Sequence, residues 1–153
     1  METAIQIPDA MAGIIIAILD RTGLGQALTL ILAAVGEDSL LLLLILTALV
    51  SILLGMGMPT SAIYLLLATM IAPSLIKLGV HPIAAHMFVL YYGLMSMITP
   101  PVAIAAFAAA SLSGAKPMET GMTAVRLGWI AYVIPFVFVL SPSLLWQGDA
   151  AHI

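Results

Sequence analysis

The chain has 153 residues, of which 63% are hydrophobic and 7% are charged, whereas a typical soluble domain is about 25% charged. This composition excludes a water-soluble globular domain. The net charge of −3 excludes a basic nucleic-acid-binding face, and the absence of cysteine excludes disulfides, thiolate metal sites and a cysteine nucleophile.

Three long stretches contain no Asp, Glu, Lys or Arg: residues 39–76, 78–115 and 127–148. Because an α-helix rises about 1.5 Å per residue, roughly 20 apolar residues cross a hydrocarbon core of about 30 Å. The stretches therefore have room for about five crossing or half-crossing helices. They lack the alternating polarity of a β-barrel, so the sequence predicts an all-α integral membrane protein.

The N-terminal segment, residues 1–38, contains two short apolar runs separated by the polar stretch from Asp20 to Gly23. Neither run is long enough to span a membrane alone. The pattern predicts either a broken helix or an interfacial helix, and the sequence leaves both alternatives open.

Residues 39–76 contain two apolar helical segments, from Ser39 to Leu54 and from Ala62 to Ile76, joined by the sequence GMGMPTS. Two glycines and a proline end the first helix, and hydroxyl side chains follow within an uncharged region. At 1.5 Å per residue the first segment covers about 24 Å, which is less than a full crossing. We therefore predict a re-entrant helical hairpin with its tip near the membrane midplane.

Residues 82–112 are apolar as far as Ile98, then contain Thr99-Pro100-Pro101, and continue apolar from Val102. Two consecutive prolines do not fit inside a regular helix, and the second half alone is too short to span. We predict one discontinuous transmembrane helix with an unwound middle.

Residues 127–146 have the length of a last transmembrane helix, with Trp129 and Trp146 near its ends as interfacial anchors. Pro135 and Pro142 are expected to kink this helix.

A polar loop is expected before that helix, from Ser113 to Thr120. Lys116 and Arg126 place two cations between residues 113 and 126, against Lys77 on the other side. Because cytoplasmic loops carry an excess of cations, we expect residues 113–126 to be cytoplasmic.

The two predicted breaks contain the oxygen ligands of a hard cation. A carbonyl freed inside lipid needs a partner, and costs several kcal/mol without one. Broken-helix transporters use such oxygens to bind Na⁺. The candidates are the carbonyls of Gly55, Gly57, Ser96 and Met97 and the hydroxyls of Thr60, Ser61 and Thr99.

Thr60 and Ser61 also begin the second limb of the hairpin, where free amides and the positive end of the helix dipole favour a carboxylate. This predicts an anionic substrate beside the sodium ion. However, Gly and Pro are frequent in ordinary transmembrane helices, and Ser and Thr often bond only to the preceding turn. The alternative is a structural or channel-like membrane subunit without its own substrate site.

Other chemistries have less support in the sequence. His81 and His86 are five residues apart, which is not the spacing of four that places two metal ligands on one helix face. No G-x-S-x-G or H-E-x-x-H motif occurs, so an intramembrane hydrolase is the weaker class. The ten methionines are interpreted as adaptable packing side chains and not as ligands of a soft metal.

Four motifs together resemble the large permease of tripartite ATP-independent periplasmic (TRAP) transporters, most closely the fused permeases of the TAXI type. The resemblance covers roughly residues 11–145. The pairing of G-M-G-x-P-T with I-T-P-P-V about 40 residues later is specific, whereas either motif alone is weak. The motifs are GMGMPTSAIY from Gly55, the stretch from Ala72-Pro73 to Gly79-Val80, AAHMF from Ala84, and ITPPV from Ile98.

This resemblance implies an elevator transporter, in which two inverted repeats each supply a re-entrant hairpin and a broken helix. Sodium would bind at both, with the substrate between them, and this chain matches the second repeat only. The resemblance further implies that the tip and the break form one sodium site and half of the substrate site. The implied sodium-binding residues are Gly55, Gly57, Ser96, Met97 and Thr99, and the implied substrate-binding residues are Pro59, Thr60, Ser61 and Pro100.

The predicted function is therefore part of a sodium symporter for a small organic anion, such as a dicarboxylate, and not an enzyme. The resemblance implies delivery by a periplasmic solute-binding protein, Na⁺ as the coupling ion with no other cofactor, and a multi-pass location in a bacterial or archaeal inner membrane. The first repeat and a small membrane subunit, or its fused equivalent, are the other expected partners. Because a complete fused permease is several times longer, we expect a fragment, a split subunit or a truncated reading frame.

Overall fold

The computed structural model describes residues 13–14, 17–18 and 21–145. Within these residues the chain is helical and has no strand, which confirms the all-α class for this part. Residues 1–12, 15–16 and 19–20 of the predicted N-terminal broken or interfacial helix, and Trp146, lie outside the described residues. The helices are α1 (Leu24–Asp38), α2 (Leu40–Gly55), α3 (Thr60–Met70), α4 (Ala72–Lys77), α5 (Pro82–Met95), α6 (Ile104–Ser113), α7 (Pro117–Leu127), α8 (Trp129–Leu140) and a 3-10 turn (Pro142–Leu145).

The first limb of the predicted hairpin is helix α2. Its start is capped by Ser39, whose hydroxyl oxygen accepts a hydrogen bond from the Leu42 amide at 3.4 Å. After α2 ends at Gly55, the chain turns through Gly57, which has a φ of +84°. Residues other than glycine rarely adopt a positive φ, so Gly57 allows the sharp turn at the tip.

The second limb is divided in two. It begins at Thr60, two residues earlier than predicted, and Ile71 separates α3 from α4. Pro73 lies in the first turn of α4, where its missing amide is tolerated. The division follows because a proline cannot donate the hydrogen bond that would continue α3.

Few helices in the described part of the chain are long enough to cross a membrane. There, α3 and α4 together form one 18-residue helix that is long and apolar enough to cross a membrane, and half of it is buried against the rest of the chain. The bent pair α7 and α8 adds a second candidate. Length and composition alone do not distinguish a span from a core helix, so the re-entrant hairpin stays a prediction.

Helix α5 lies at the centre of the fold. It packs against both limbs of the hairpin and against α8, whereas the two limbs make few contacts with each other. Phe88 and Tyr92 of α5 are buried, and both rings meet the ring of Phe136 on α8 edge to face, at 5.5 and 6.0 Å between centroids. The hairpin limbs therefore lie on either side of a shared central helix.

The break after α5 is longer than predicted. The helix ends at Met95 and not at Ile98, and α6 begins at Ile104 and not at Val102, so eight residues are unwound. The amides of Met97 and Ile98 bond three residues back, to the carbonyls of Leu94 and Met95. Pro100 explains the early end, because it disfavours the helical conformation at Thr99.

Residues 117–127 form helix α7, so the predicted polar loop from Ser113 to Thr120 is wrong beyond Lys116. Pro117 and Glu119 lie in the first turn of α7 and Arg126 in its last turn, which are ordinary helix signals. Within the described residues, Pro135 lies inside α8, and α8 ends before Pro142.

Helix α7 turns back alongside α6 to the level of the break. A Cβ built on Gly121 would lie 3.0 Å from Pro100 Cγ and 3.6 Å from Ala103 Cβ, and one on Gly128 would lie 3.3 Å from Ile98 Cδ1. A bend of 43° separates α7 from α8. Trp129, the residue after Gly128, therefore lies at the junction of α7 and α8 and not at an end of that pair.

Candidate functional site

The structure brings the hairpin tip and the break of the discontinuous helix together. The Thr60 hydroxyl donates a hydrogen bond to the sulfur of Met97 at 3.7 Å. On the other side of the tip, a Cβ added to Gly57 would lie 4.0 Å from Val102 Cγ1. The two motifs that the sequence separates by about 40 residues therefore meet in one place.

Gly55 and Ser96 form a close approach between the ends of α2 and α5. A Cβ built on Gly55 would lie 2.7 Å from Ser96 Oγ and 3.2 Å from the Gly93 carbonyl oxygen. Real side chains do not tolerate such distances, so only glycine fits at residue 55. The absence of a side chain lets the C-terminal ends of α2 and α5 touch.

Four helix ends converge at this point. The C-terminal ends of α2 and α5 carry the negative ends of their helix dipoles, roughly half an elementary charge each. The N-terminal ends of α3 and α6 carry positive ends of similar size. Two negative and two positive ends of helix dipoles therefore meet in one region of the described structure.

The hydroxyl groups of the break donate their protons to backbone carbonyls, which leaves the lone pairs of their oxygens available. Ser96 Oγ donates its proton to the Gly93 carbonyl at 2.5 Å, and Thr99 Oγ1 donates its proton to the Met95 carbonyl at 2.6 Å. A hydroxyl has one proton and two lone pairs. Both oxygens can therefore direct lone-pair density to a cation. Ser96 is fully buried and Thr99 is half-buried.

The backbone carbonyls of the site are less free than predicted. The Met97 carbonyl accepts a hydrogen bond from the Ala105 amide at 3.0 Å, so it is not a freed group. The Ser96 carbonyl accepts from Thr99, and that of Gly55 from Met58, at 3.4 and 3.5 Å. These two bonds are longer than well-formed ones and leave both oxygens weakly engaged. Because each carbonyl has a second lone pair, sodium binding by these residues stays a prediction.

The predicted substrate-binding residues are divided between two surfaces. Pro59, Thr60 and Ser61 are exposed at the tip. Pro100 is half-buried and packs toward Gly121 of α7, on the other side of the break. The structure thus places the tip residues where a substrate could reach them and turns Pro100 toward α7.

Three residues that the sequence analysis did not single out support this site. Gly93 leaves room for Ile63 of α3, Gly121 leaves room for Pro100, and the Tyr132 hydroxyl lies 2.7 Å from Thr99 Oγ1. A glycine inside a helical pattern often marks close packing, and this signal could have identified Gly93 and Gly121. No local pattern points to Tyr132, because its partner is 33 residues away.

A surface cleft among the described residues lies apart from this site. A cleft of about 420 Å³ lies along α7 and is lined by Lys116, Glu119 and Thr123 among others. Its side chains include an exposed Lys116–Glu119 ion pair, with Nζ and Oε1 2.8 Å apart. The converging helix ends, and not this cleft, carry the polar backbone groups and the Ser96 and Thr99 hydroxyls of the candidate site.

Comparison with known proteins gives the family. The family model for the tripartite ATP-independent periplasmic transporter, DctM component, matches residues 2–150. The chain belongs to this family. No curated protein and no solved structure matches the chain significantly.

DctM proteins are permeases of membrane transporters and not enzymes. They work with a periplasmic binding protein and with other membrane components. The family indicated by the two motifs is therefore confirmed, and an integral membrane location follows from it. The TAXI type and the assignment to the second repeat stay predictions.

Proposed function

We propose that this DctM chain supplies one sodium site and part of the substrate site of a permease that couples uptake of a small organic anion to Na⁺. One observation carries the proposal: the C-terminal ends of α2 and α5 meet at Gly55 and Ser96, and the hydroxyl groups of Ser96 and, three residues later, of Thr99 already donate their protons to backbone carbonyls.

Sodium suits this arrangement because its ligands are oxygens with negative partial charge. Two helix C-terminal ends supply backbone oxygens, and the Gly55 and Ser96 carbonyls have only long hydrogen bonds. In a membrane interior of low dielectric constant these partial charges act more strongly than they would in water.

The anion site follows from the other two helix ends. Thr60 begins α3 at an exposed position, and the positive end of that helix favours a carboxylate. A bound sodium ion adds a full positive charge beside it, so the cation and the carboxylate stabilise each other. This mutual stabilisation is the physical basis of the proposed coupling. The periplasmic binding protein would deliver the anion, and the rest of the permease would complete the site.

The first test is thermal unfolding of the complete permease in detergent, in NaCl and in KCl at equal ionic strength. A ligand at about 100 times its Kd stabilises the folded state by roughly 2.7 kcal/mol, so NaCl should raise the Tm.

The second test uses proteoliposomes containing the permease, supplied with its binding protein and a radiolabelled dicarboxylate. Uptake should require an inward sodium gradient and should not respond to a potassium gradient. Equal Tm values in the two salts, together with uptake independent of sodium, would favour the structural or channel-like alternative.

A further inference from the structure

Helix α8 makes two polar contacts with the broken helix, both through Tyr132. The hydroxyl of Tyr132 lies 2.7 Å from the hydroxyl of Thr99 in the break. The backbone carbonyl of Tyr132 accepts a hydrogen bond from the hydroxyl of Tyr92, whose side chain is 2% exposed. Residue 132 of α8 is therefore joined to the break by a side-chain contact with Thr99 and to helix α5 by a backbone contact with Tyr92.

The direction of the Tyr132–Thr99 hydrogen bond follows from counting protons. Thr99 Oγ1 donates its only proton to the Met95 carbonyl at 2.6 Å. Tyr132 must therefore be the donor and Thr99 the acceptor. One lone pair of Thr99 Oγ1 receives the tyrosine proton, and one remains free. The two hydrogen bonds fix the side-chain rotamer of Thr99 and thus the direction of that free lone pair.

We propose that Tyr132 is a positioning residue for the sodium site: it holds the Thr99 hydroxyl so that its remaining lone pair faces the ion. This inference rests on the proposed function, in which Thr99 is a sodium ligand. Tyr132 itself does not contact the ion and acts only through Thr99. Tyr92 supports the arrangement by holding the backbone of α8 at residue 132.

The tyrosine hydroxyl can be removed without disturbing the packing of α8. Apolar rings hold α8 against α5, since the Phe136 ring meets those of Phe88 and Tyr92 edge to face. Tyr132→Phe keeps the size of the ring and the backbone carbonyl that Tyr92 uses. A changed sodium response in this variant therefore reports on the hydroxyl and not on the attachment of the helix.

The experiment measures uptake by the complete permease in proteoliposomes as a function of sodium concentration, for Tyr132→Phe, Thr99→Val and the double variant. A net hydrogen bond corresponds to roughly a fivefold change in an equilibrium constant, so Tyr132→Phe should raise the half-saturating sodium concentration about fivefold. Its maximal rate should stay near the parental value. The double variant should resemble Thr99→Val, because without the threonine hydroxyl Tyr132 has nothing to position.

Two controls accompany these variants. Tyr91→Phe makes the same change one residue before Tyr92, where the ring packs on Phe138 at 5.6 Å, and should leave the sodium response unchanged. Thr99→Ser keeps the hydroxyl and should retain most of the parental sodium affinity.

The outcomes separate this inference from the proposed function. If Thr99→Val shifts the sodium response and Tyr132→Phe does not, the positioning role is wrong and the sodium site stands. A loss of maximal rate in Tyr132→Phe at unchanged half-saturation would show a structural role only and would overturn the inference. Additive shifts in the double variant would also contradict it. If parental uptake does not depend on sodium at all, the proposed function and this inference fail together.

Discussion

Glycine residues shape the packing around the tip for two physical reasons, close approach of a neighbouring side chain and a positive φ. Gly55 leaves space for Ser96, Gly93 leaves space for Ile63, and Gly57 supplies a positive φ in the turn. A side chain at the first two positions would meet neighbouring atoms, whereas a side chain at Gly57 would strain the backbone and fill the space in front of Val102.

Gly57→Leu should abolish uptake while the permease still inserts normally. The apolar side chain is tolerated by lipid, but it strains the turn and obstructs the approach of an ion to the backbone. The matched control is Gly114→Leu, because Gly114 also has a positive φ, +70°, with nothing within 4 Å of an added Cβ. It lies at the far end of α6 and should retain most of the uptake.

Uptake is measured in vesicles after fractionation has shown equal amounts of each variant in the membrane. Transport by Gly57→Leu at the parental rate would mean that the tip is only a linker, and the structural-subunit alternative would gain support.

Gly93→Ala should lower the Tm of the complete permease in detergent. An added Cβ would lie 2.5 Å from Ile63 Cγ2, and such overpacking typically costs about 1–3 kcal/mol. The gain in helix propensity from Gly to Ala is roughly 1 kcal/mol and offsets only part of this. Because Ile63→Ala removes the clashing methyl group, the double variant should lose less stability than the sum of the single changes. Additive losses would mean that the two residues do not compete for the same space.

At the scale of elements, the hairpin prediction is directly testable, because the chain contains no cysteine. Single cysteines in place of Asp38 and Lys77 should react with a membrane-impermeant thiol reagent from the same side of the membrane. A third cysteine in place of Lys116, between α6 and α7, should react from the opposite side. Labelling of the first two positions from opposite sides would mean that residues 39–76 cross the membrane.

Helix α7 permits a test that distinguishes the structure from the sequence prediction. In a cytoplasmic loop, cysteines at Lys116 and Arg126 would react equally with an aqueous reagent. The structure instead places Arg126 about 15 Å along α7 from Lys116, two residues before Gly128 and close to the level of Ile98. We expect rapid labelling at residue 116 and labelling at least tenfold slower at residue 126. Equal labelling rates at the two positions would support the predicted polar loop and contradict helix α7.

The elements themselves were partly predictable. Helix α2 and the break after it follow from local composition, since Ser39 is a good cap and the Gly-Met-Gly-Met-Pro sequence ends the helix. Helix α7 was missed because Lys116 before it and the Glu and Thr residues in its first turns suggested a polar loop, although Pro117 and Glu119 are typical of a helix start. The end of α5 was placed three residues too late, because the influence of Pro100 extends back through the turns that precede it.

For the whole molecule, the distribution of apolar side chains is consistent with a membrane protein. Large side chains are exposed on the outer faces of several helices, including Leu41 and Leu53 on α2, Leu65 on α3, and Trp129 and Leu140 on α8. In water such a surface would drive association. In the bilayer, lipid and the other components of the permease can cover it.

The candidate site could be predicted in its residue types but not in its arrangement. Unsatisfied backbone inside an apolar region identified the tip and the break separately. Their meeting depends on Gly55 and Ser96, which are 41 residues apart, and no single-sequence periodicity reports such a contact. For the same reason, two partners could be identified only from the folded chain: the Ala105 amide, which bonds to the Met97 carbonyl, and the Tyr132 hydroxyl, which bonds to Thr99.

The position of α5 between the hairpin limbs has a mechanical consequence. Close contacts at Gly55 and Gly93 join α2 and α3 to the same central helix, and the aromatic rings join α8 to it as well. Swinging either limb away would open voids along a packed interface, which is costly for every methyl group that loses its neighbours. These helices should therefore be displaced as one stiff body. The loop of residues 56–59 lies outside these packed helices, so under the proposed function we expect a sodium ion to enter and leave beside that loop.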